Sequence, residues 1–174
     1  MTTERLYYRD SYLVDFRATV VGTAEEGRRV YLDRTAFYPA SGGQPQDAGS
    51  IAGVSVAGVV DEGDRVAHLT SAPVPRGEAA CRVDWPLRFD HMQQHSGQHL
   101  LSAVLVEMFG AATVGFHLGA ESSAIDVALI SLDPAQAAAV ERRANELVCE
   151  NRPLAISFEE IGRASCRERV FRTV

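Results

Sequence analysis

The hydrophobic pattern of this chain changes period at Trp85-Pro86, and that change limits the folds open to it. Before it, apolar residues come in short β-like runs: Tyr12 to Val21, Arg29 to Leu32, Ile51 to Val60, Arg65 to Leu69 and Glu78 to Val83. Gly, Asp and Pro interrupt them. Within Asp61-Glu-Gly-Asp64, Glu62-Gly63 reads as a hairpin turn. Short strands at regular spacing predict a small barrel. After Trp85-Pro86 a helix is expected from about Pro86 to Phe109, stopped by Gly110. Leu101, Val104, Leu105 and Met108 fall at i, i+3, i+4 and i+7 on it and form a core stripe.

Beyond Gly110, Thr113 to Leu118 and Ser123 to Ile130 read as two strands. Asp133-Pro-Ala-Gln136 opens a second helix, with Asp as cap, Pro in the first turn and Gln able to reach back. That helix runs to about Glu150 and gives way at Arg152-Pro153 to a last strand, Leu154 to Phe158. The expected class is α+β: a small N-terminal β-barrel over 1–85, then an α+β domain over 86–160 built on the long helix. With 174 residues and 46% of them apolar, the chain has material for a core. No apolar run approaches bilayer-spanning length, and Met-Thr-Thr-Glu-Arg5 leads into no apolar signal region. Cys81, Cys149 and Cys166 are scattered and give no disulfide framework, so a reducing cytoplasm is expected.

Chemistry is concentrated in Arg88-Phe-Asp-His-Met-Gln-Gln-His-Ser-Gly-Gln-His-Leu-Leu-Ser102, which sets His95 and His99 four apart on the long helix. Positions i and i+4 project from one face about one turn apart, so two imidazoles can converge on one ion. A zinc site needs more than two ligands. Taken alone, the spacing more often describes one packed and one solvated histidine. His91, one turn earlier, makes a third helical ligand geometrically conceivable. Upstream, Arg34-Thr-Ala-Phe-Tyr-Pro-Ala-Ser-Gly-Gly-Gln-Pro-Gln-Asp-Ala-Gly49 carries the Gly42-Gly43 pair and Pro45, which demand a tight backbone path able to approach a ligand. Downstream lies Thr113-Val-Gly-Phe-His-Leu-Gly119.

In this order and spacing the three segments resemble the editing domain of alanyl-tRNA synthetases and its free-standing relatives, the AlaX-type alanyl-tRNA editing proteins. The resemblance covers roughly residues 5 to 160. It rests on the Ala-Phe-Tyr-Pro-x-x-Gly-Gly-Gln loop in combination with the His-x-x-x-His-Leu-Leu helix. It implies hydrolysis of the ester joining a wrong amino acid, serine or glycine, to the 3′ end of tRNA for alanine. It also implies zinc on His95 and His99, with the remaining ligands in a later Cys-Gly-Gly-Thr-His run. This sequence has no such run, and His68, His91 and His117 stand in no matching context. As written the chain is therefore expected to hold zinc weakly and to retain little of it after dialysis.

The resemblance further implies that Ser41, Gly42, Gly43 and Gln44 line the substrate pocket, offering backbone N–H groups and the Gln amide. The plainer reading of these four is a tight inter-strand loop. His117 would contact the misacylated amino acid and is grouped with His95 and His99 as catalytic; its plainer reading is a partly buried strand residue. Gln98, between the two ligands, is assigned to substrate binding, although it and Asp126 read as well as structural residues. Whether the metal would activate water or anchor the 3′ end is open on the residues alone.

After Glu160 the pattern breaks. Ile161-Gly-Arg-Ala-Ser-Cys-Arg-Glu-Arg-Val170 has no hydrophobic period and can be written ATC GGA AGA GCG TCG TGT AGG GAA AGA GTG, which reads like a sequencing-adapter oligonucleotide translated in frame. Phe171 to Val174 do not follow from that oligonucleotide. On this reading 161–174 is not native and the editing domain is incomplete; a genuine basic tail is the alternative. The net charge is −6, and the tail contributes four Arg against one Glu, or +3, which leaves −9 for the first 160 residues. The chain has no Lys, so contact with tRNA phosphates needs a local Arg patch. Arg34, Arg82, Arg88, Arg142 and Arg143 are candidates.

Three alternatives remain: a threonyl-type editing domain, which shares the His-x-x-x-His helix; a non-catalytic tRNA-binding module; and a piece of a synthetase. The Phe37-Tyr-Pro-x-x-Gly-Gly-Gln44 loop favours the alanyl family over the threonyl one. With Met1 just ahead of the barrel and no aminoacylation core before it, a free-standing protein is expected rather than a synthetase. The oligomeric state is not legible.

Overall fold

The computed structural model describes residues 2–119 and 122–153. The expected strand Leu154 to Phe158 and the segment 161–174 lie outside the described residues. Among the described residues the chain divides into two compact units, one made of 2–98, 115–119 and 122–126, the other of 99–114 and 127–153.

In chain order the first unit contains β1 (Glu4–Arg5), β2 (Asp15–Ala24), β3 (Arg29–Leu32), β4 (Arg34–Thr35), β5 (Gly49–Ile51), β6 (Val54–Asp61), β7 (Val66–Thr70) and β8 (Gly77–Val83). Six of these close into a barrel in the order β2-β3-β7-β6-β5-β8, with every neighbouring pair antiparallel. Closure leaves no unpaired edge. The short β1 and β4 pair in parallel beside it. Period-two alternation selects the inward face: on β8, Ala79, Cys81 and Val83 are buried while Glu78, Ala80 and Arg82 are exposed. Val30, Leu32, Phe37, Ile51, Val59 and Val66 complete the centre of the core.

Polar residues also lie in the interior, Thr35 and His68 among them. His68 on β7 is fully buried, its Nδ1 lies 3.1 Å from the Val30 carbonyl and its Nε2 2.8 Å from Thr35 Oγ1. Burial holds its pKa down at about 4, so the imidazole is neutral. Cys81 is a buried free thiol, pushed up to about 12 by the same loss of solvent.

The strand expected from Ile51 to Val60 is two strands. Ala52 and Gly53 turn between them with φ +48° and +78°, because β5 pairs with β6 on one side and β8 on the other to close the barrel. The Glu62-Gly63 hairpin is present, closed by Glu62 N–H to the Arg65 carbonyl at 2.8 Å.

Helix α1 (Trp85–Phe109) starts where the period changes. Asp84 caps it: its carbonyl accepts from Arg88 N–H at 3.0 Å and its Oδ1 from Leu87 N–H at 3.3 Å. Its end is Gly110, whose N–H bonds the Val106 carbonyl at 2.9 Å. The helix runs through both units, passing from one to the other between Gln98 and His99. β9 (Thr113–Leu118) and β10 (Ser123–Val127) form a two-stranded sheet. The second of these ends earlier than the expected Ile130, because Ala128 N–H turns to the Ala112 carbonyl.

The second unit carries α2 (Pro134–Cys149), opened by the anticipated capping box: Asp133 Oδ1 accepts from Gln136 N–H at 2.8 Å and Gln136 Oε1 from Asp133 N–H at 3.0 Å. Its buried apolar residues include Val104 and Leu105 of the expected stripe, with Ala111 and Val140. The architecture is mixed α+β, a six-stranded barrel with two helices. No described helix is long and apolar enough to cross a membrane.

Candidate active site around the Ser41 to Gln44 turn

The glycine pair makes a tight reverse turn. Ser41 and Gln44 exchange backbone hydrogen bonds at 3.1 and 3.0 Å, and Gly42 and Gly43 between them have φ of +60° and +83°. Two successive left-handed residues are what glycine tolerates without steric cost. Both are exposed, and a Cβ on Gly42 would meet nothing within 4 Å, so the bare turn leaves room for a ligand at its tip. A Cβ on Gly43 would stand 3.6 Å from the Phe116 ring of β9.

The loop carrying this turn is held rigidly at its base. Tyr38 and Asp47 close it: Tyr38 N–H donates to Asp47 Oδ2 at 2.5 Å, and Asp47 N–H to the Tyr38 carbonyl at 2.9 Å. The Gln46 side chain stitches it to β6, donating to the Ala57 carbonyl at 3.1 Å and accepting from Val59 N–H at 3.0 Å. Those two groups flank the slip in register between Val56 and Gly58, where the ladder leaves them open.

The Asp47 carboxylate meets Arg88 in the first turn of α1, and the two are 1% and 2% exposed. Arg88 Nε donates to Asp47 Oδ1 at 2.8 Å. One terminal nitrogen reaches Asp47 Oδ2 and the Ala36 carbonyl, the latter at 2.5 Å, and the other reaches the Ser11 carbonyl at 2.9 Å. A planar fork is suited to this pairing, and the bonds to Asp47 and the Ala36 carbonyl are buried.

Two turns further along α1, His95 is half-buried and its Nδ1 lies 3.0 Å from Gln44 Oε1. Gln44 is only 8% exposed. The loop thus meets the helix at two points of matching spacing, Asp47 on Arg88 and Gln44 on His95. An amide oxygen accepts only, so in this contact Nδ1–H is the donor.

The remaining expected residues are placed as follows. His99 and Gln98 are half-buried on α1. His91 is half-buried and its Nδ1 has no hydrogen-bond partner among the described residues. His117 on β9 is largely exposed, with Nε2 3.9 Å from Asp126 Oδ2 on β10. Among the described residues no three His, Cys, Asp or Glu side chains come together to hold a metal. Two imidazoles at helical spacing are therefore what these residues offer, which is short of a zinc site.

Of the arginines considered for phosphate contact, Arg88 is removed from candidacy, since its burial and its four bonds leave it no access to solvent. Arg34, Arg82 and Arg143 are at least partly exposed, with Asp33, Asp15 and Glu107 as ion-pair partners. Arg142 is exposed. A shallow groove of about 340 Å³ along Val14, Gly49, Arg82, Asp84 and Trp85 shares none of the site residues.

Asp47, Gln46 and Arg88 were not assigned to the site by sequence reasoning. Their signal was weak: Asp47 sits in the quoted loop and Arg88 begins the quoted helix, but 41 residues separate the pair.

No family model matches the chain. Curated relatives do. The alanyl-tRNA editing protein Aarsd1 of Bos taurus is 40% identical over 164 residues, covering 85% of this chain and 37% of its own length. Alanyl-tRNA editing protein AlaX-L of Pyrococcus horikoshii is 35% identical over 164 residues, covering 88% of this chain and 40% of its own. The chain thus spans about two fifths of the length of these relatives. AlaX-M of Methanosarcina mazei is 34% identical over 185 residues, covering 98% of this chain and 72% of its own. With that likeness running along almost the whole of this chain and most of the AlaX-M protein, the chain belongs to the family of alanyl-tRNA editing proteins.

Proposed function

We propose that this protein hydrolyses the ester joining a wrongly attached serine or glycine to the 3′ end of tRNA for alanine. The observation that carries the reading is the Ser41 to Gln44 turn, bare at its tip and tied to His95, in a chain whose relatives are named alanyl-tRNA editing proteins.

The reaction asks little of the protein beyond positioning. An aminoacyl ester is already activated. Water adds its oxygen to the carbonyl carbon, the bond to the ribose oxygen breaks, and that oxygen takes up a proton. Holding the carbonyl and the water in a near-attack arrangement supplies much of the acceleration. The Gly42 and Gly43 amides, unobstructed by side chains, would donate to the carbonyl or ribose oxygen. His95 would present Nε2. His117, exposed on β9, would meet the amino-acid portion, and Gln98 would contribute from the helix.

Zinc enters this reading through the spacing of His95 and His99 and the family resemblance. These are the residues that would hold it, with further donors from outside the described residues, and the bound ion would supply electrophilic or anchoring chemistry. No step above depends on it.

The alternative reading is tRNA binding without turnover, against which the net charge of −6 and the lack of Lys weigh. Incubating the chain with seryl- and glycyl-tRNA for alanine, and with seryl-tRNA for threonine, separates the possibilities. The proposal expects loss of the ester on the two alanine tRNAs above the spontaneous rate and none on the threonine tRNA. Hydrolysis confined to the threonine tRNA, or binding without hydrolysis, would replace it with the corresponding alternative.

A further inference from the structure

We propose that Gln44 is a positioning residue for His95: the loop closed by Tyr38 and Asp47 is clamped to α1 through Arg88, and from that fixed base Gln44 holds the His95 ring with its proton on Nδ1 and its lone pair on Nε2. This deepens the functional reading above and rests on it only for its kinetic consequence.

Gln44 stands at the fourth position of a turn whose backbone is fixed by two reciprocal bonds. Three residues on, Asp47 is bound to a buried guanidinium that also grips the Ala36 and Ser11 carbonyls. Neither end of the Gln44 to Asp47 segment can slide along α1 without breaking a buried ion pair. The Gln44 side chain, 8% exposed, therefore arrives at His95 in one place, and its Oε1 at 3.0 Å is an acceptor for Nδ1–H. A solvated imidazole exchanges between tautomers and rotates, whereas one held this way presents a single nitrogen in a single direction.

The test reads the tautomer directly. The full chain is labelled with ¹⁵N-histidine, and long-range ¹H–¹⁵N spectra are recorded above the imidazole titration range, with His95→Gln identifying the His95 signals. The expected result is Nδ1 protonated and Nε2 bare in the wild type. Gln44→Glu, which keeps an acceptor oxygen, preserves that pattern. Gln44→Ala releases it to a tautomer mixture. A wild-type ring protonated on Nε2, or an unchanged pattern in Gln44→Ala, overturns the proposal. The wild-type measurement stands even if a variant fails to fold.

In the deacylation assay Gln44→Ala should lower kcat by up to about 100-fold with KM little changed, and Gln44→Glu should restore part of the loss. Because the spectra need no activity, an inactive chain with the expected tautomer refutes the function and keeps the positioning role. An active chain indifferent to Gln44→Ala in both spectrum and kcat refutes the positioning role and keeps the function.

Discussion

Replacing Asp47 by Ala should be among the most damaging single changes outside the apolar core. The substitution strands the Arg88 guanidinium, 2% exposed, with two carbonyls and no counter-charge, and it takes the acceptor from Tyr38 N–H. Breaking a buried pair by removing one partner costs about 3–5 kcal/mol. With a urea slope on the order of 2 kcal/mol per molar, that lowers the unfolding midpoint by about 2 M.

An internal control is the Arg17–Glu78 pair, whose side chains are 74% and 77% exposed; Glu78→Ala should move the midpoint little, since exposed pairs contribute about 0–1 kcal/mol. Fluorescence of Trp85, the sole tryptophan and the first residue of α1, reports on this region. The double variant Asp47→Leu with Arg88→Met should cost well below the sum of the single changes, leaving about 1 kcal/mol for each backbone group that loses its partner. If Asp47→Ala shifts the midpoint no more than Glu78→Ala, the pair does not anchor the loop and the positional argument for Gln44 loses its base.

Three further outcomes are expected. His68 is held neutral with a pKa near 4, below the ordinary 6.5, so its contribution is complete above about pH 6.5 and is lost as pH falls toward 4. The loss reaches on the order of 3 kcal/mol, and stability measured across that window should slope in wild type and flatten in His68→Gln. Gly49→Ala should destabilise by about 3 kcal/mol or more in denaturant melts, because a Cβ there would lie 2.1 Å from the Arg82 carbonyl oxygen at φ +151°. Asp133→Ala removes the α2 cap and should cost about 1 kcal/mol, read as a lower melting point.

The barrel was legible because its strands alternate cleanly. Arg29 to Leu32 and Glu78 to Val83 matched the observed strands to within a residue, and the change of period located α1. Asp133 and Gln136 announced α2 because a capping box is a local device. The turn at Ala52-Gly53 escaped because it lacks the Asn or Asp that marks such turns, and because apolar residues resume directly after it at Val54. β1 and β4, two residues each, are too short to carry a pattern.

At the candidate site, His95 and the glycine turn stood out through composition and spacing. Their connection through Gln44 did not, nor did the Asp47–Arg88 pair, since contacts between residues 41 to 51 apart leave no trace in local periodicity. Arg88 stands among the candidates for phosphate contact for the same reason: a charge is read as solvated until its buried partner is known.

The most direct test of the editing reading is single-turnover hydrolysis of seryl-tRNA for alanine by this chain, set beside its His95→Ala variant and the spontaneous rate. The account predicts hydrolysis above background by the wild type and its loss in the variant, with the variant still folded. Equal rates in the two proteins, or wild-type binding of the tRNA with no hydrolysis beyond the spontaneous rate, would contradict it.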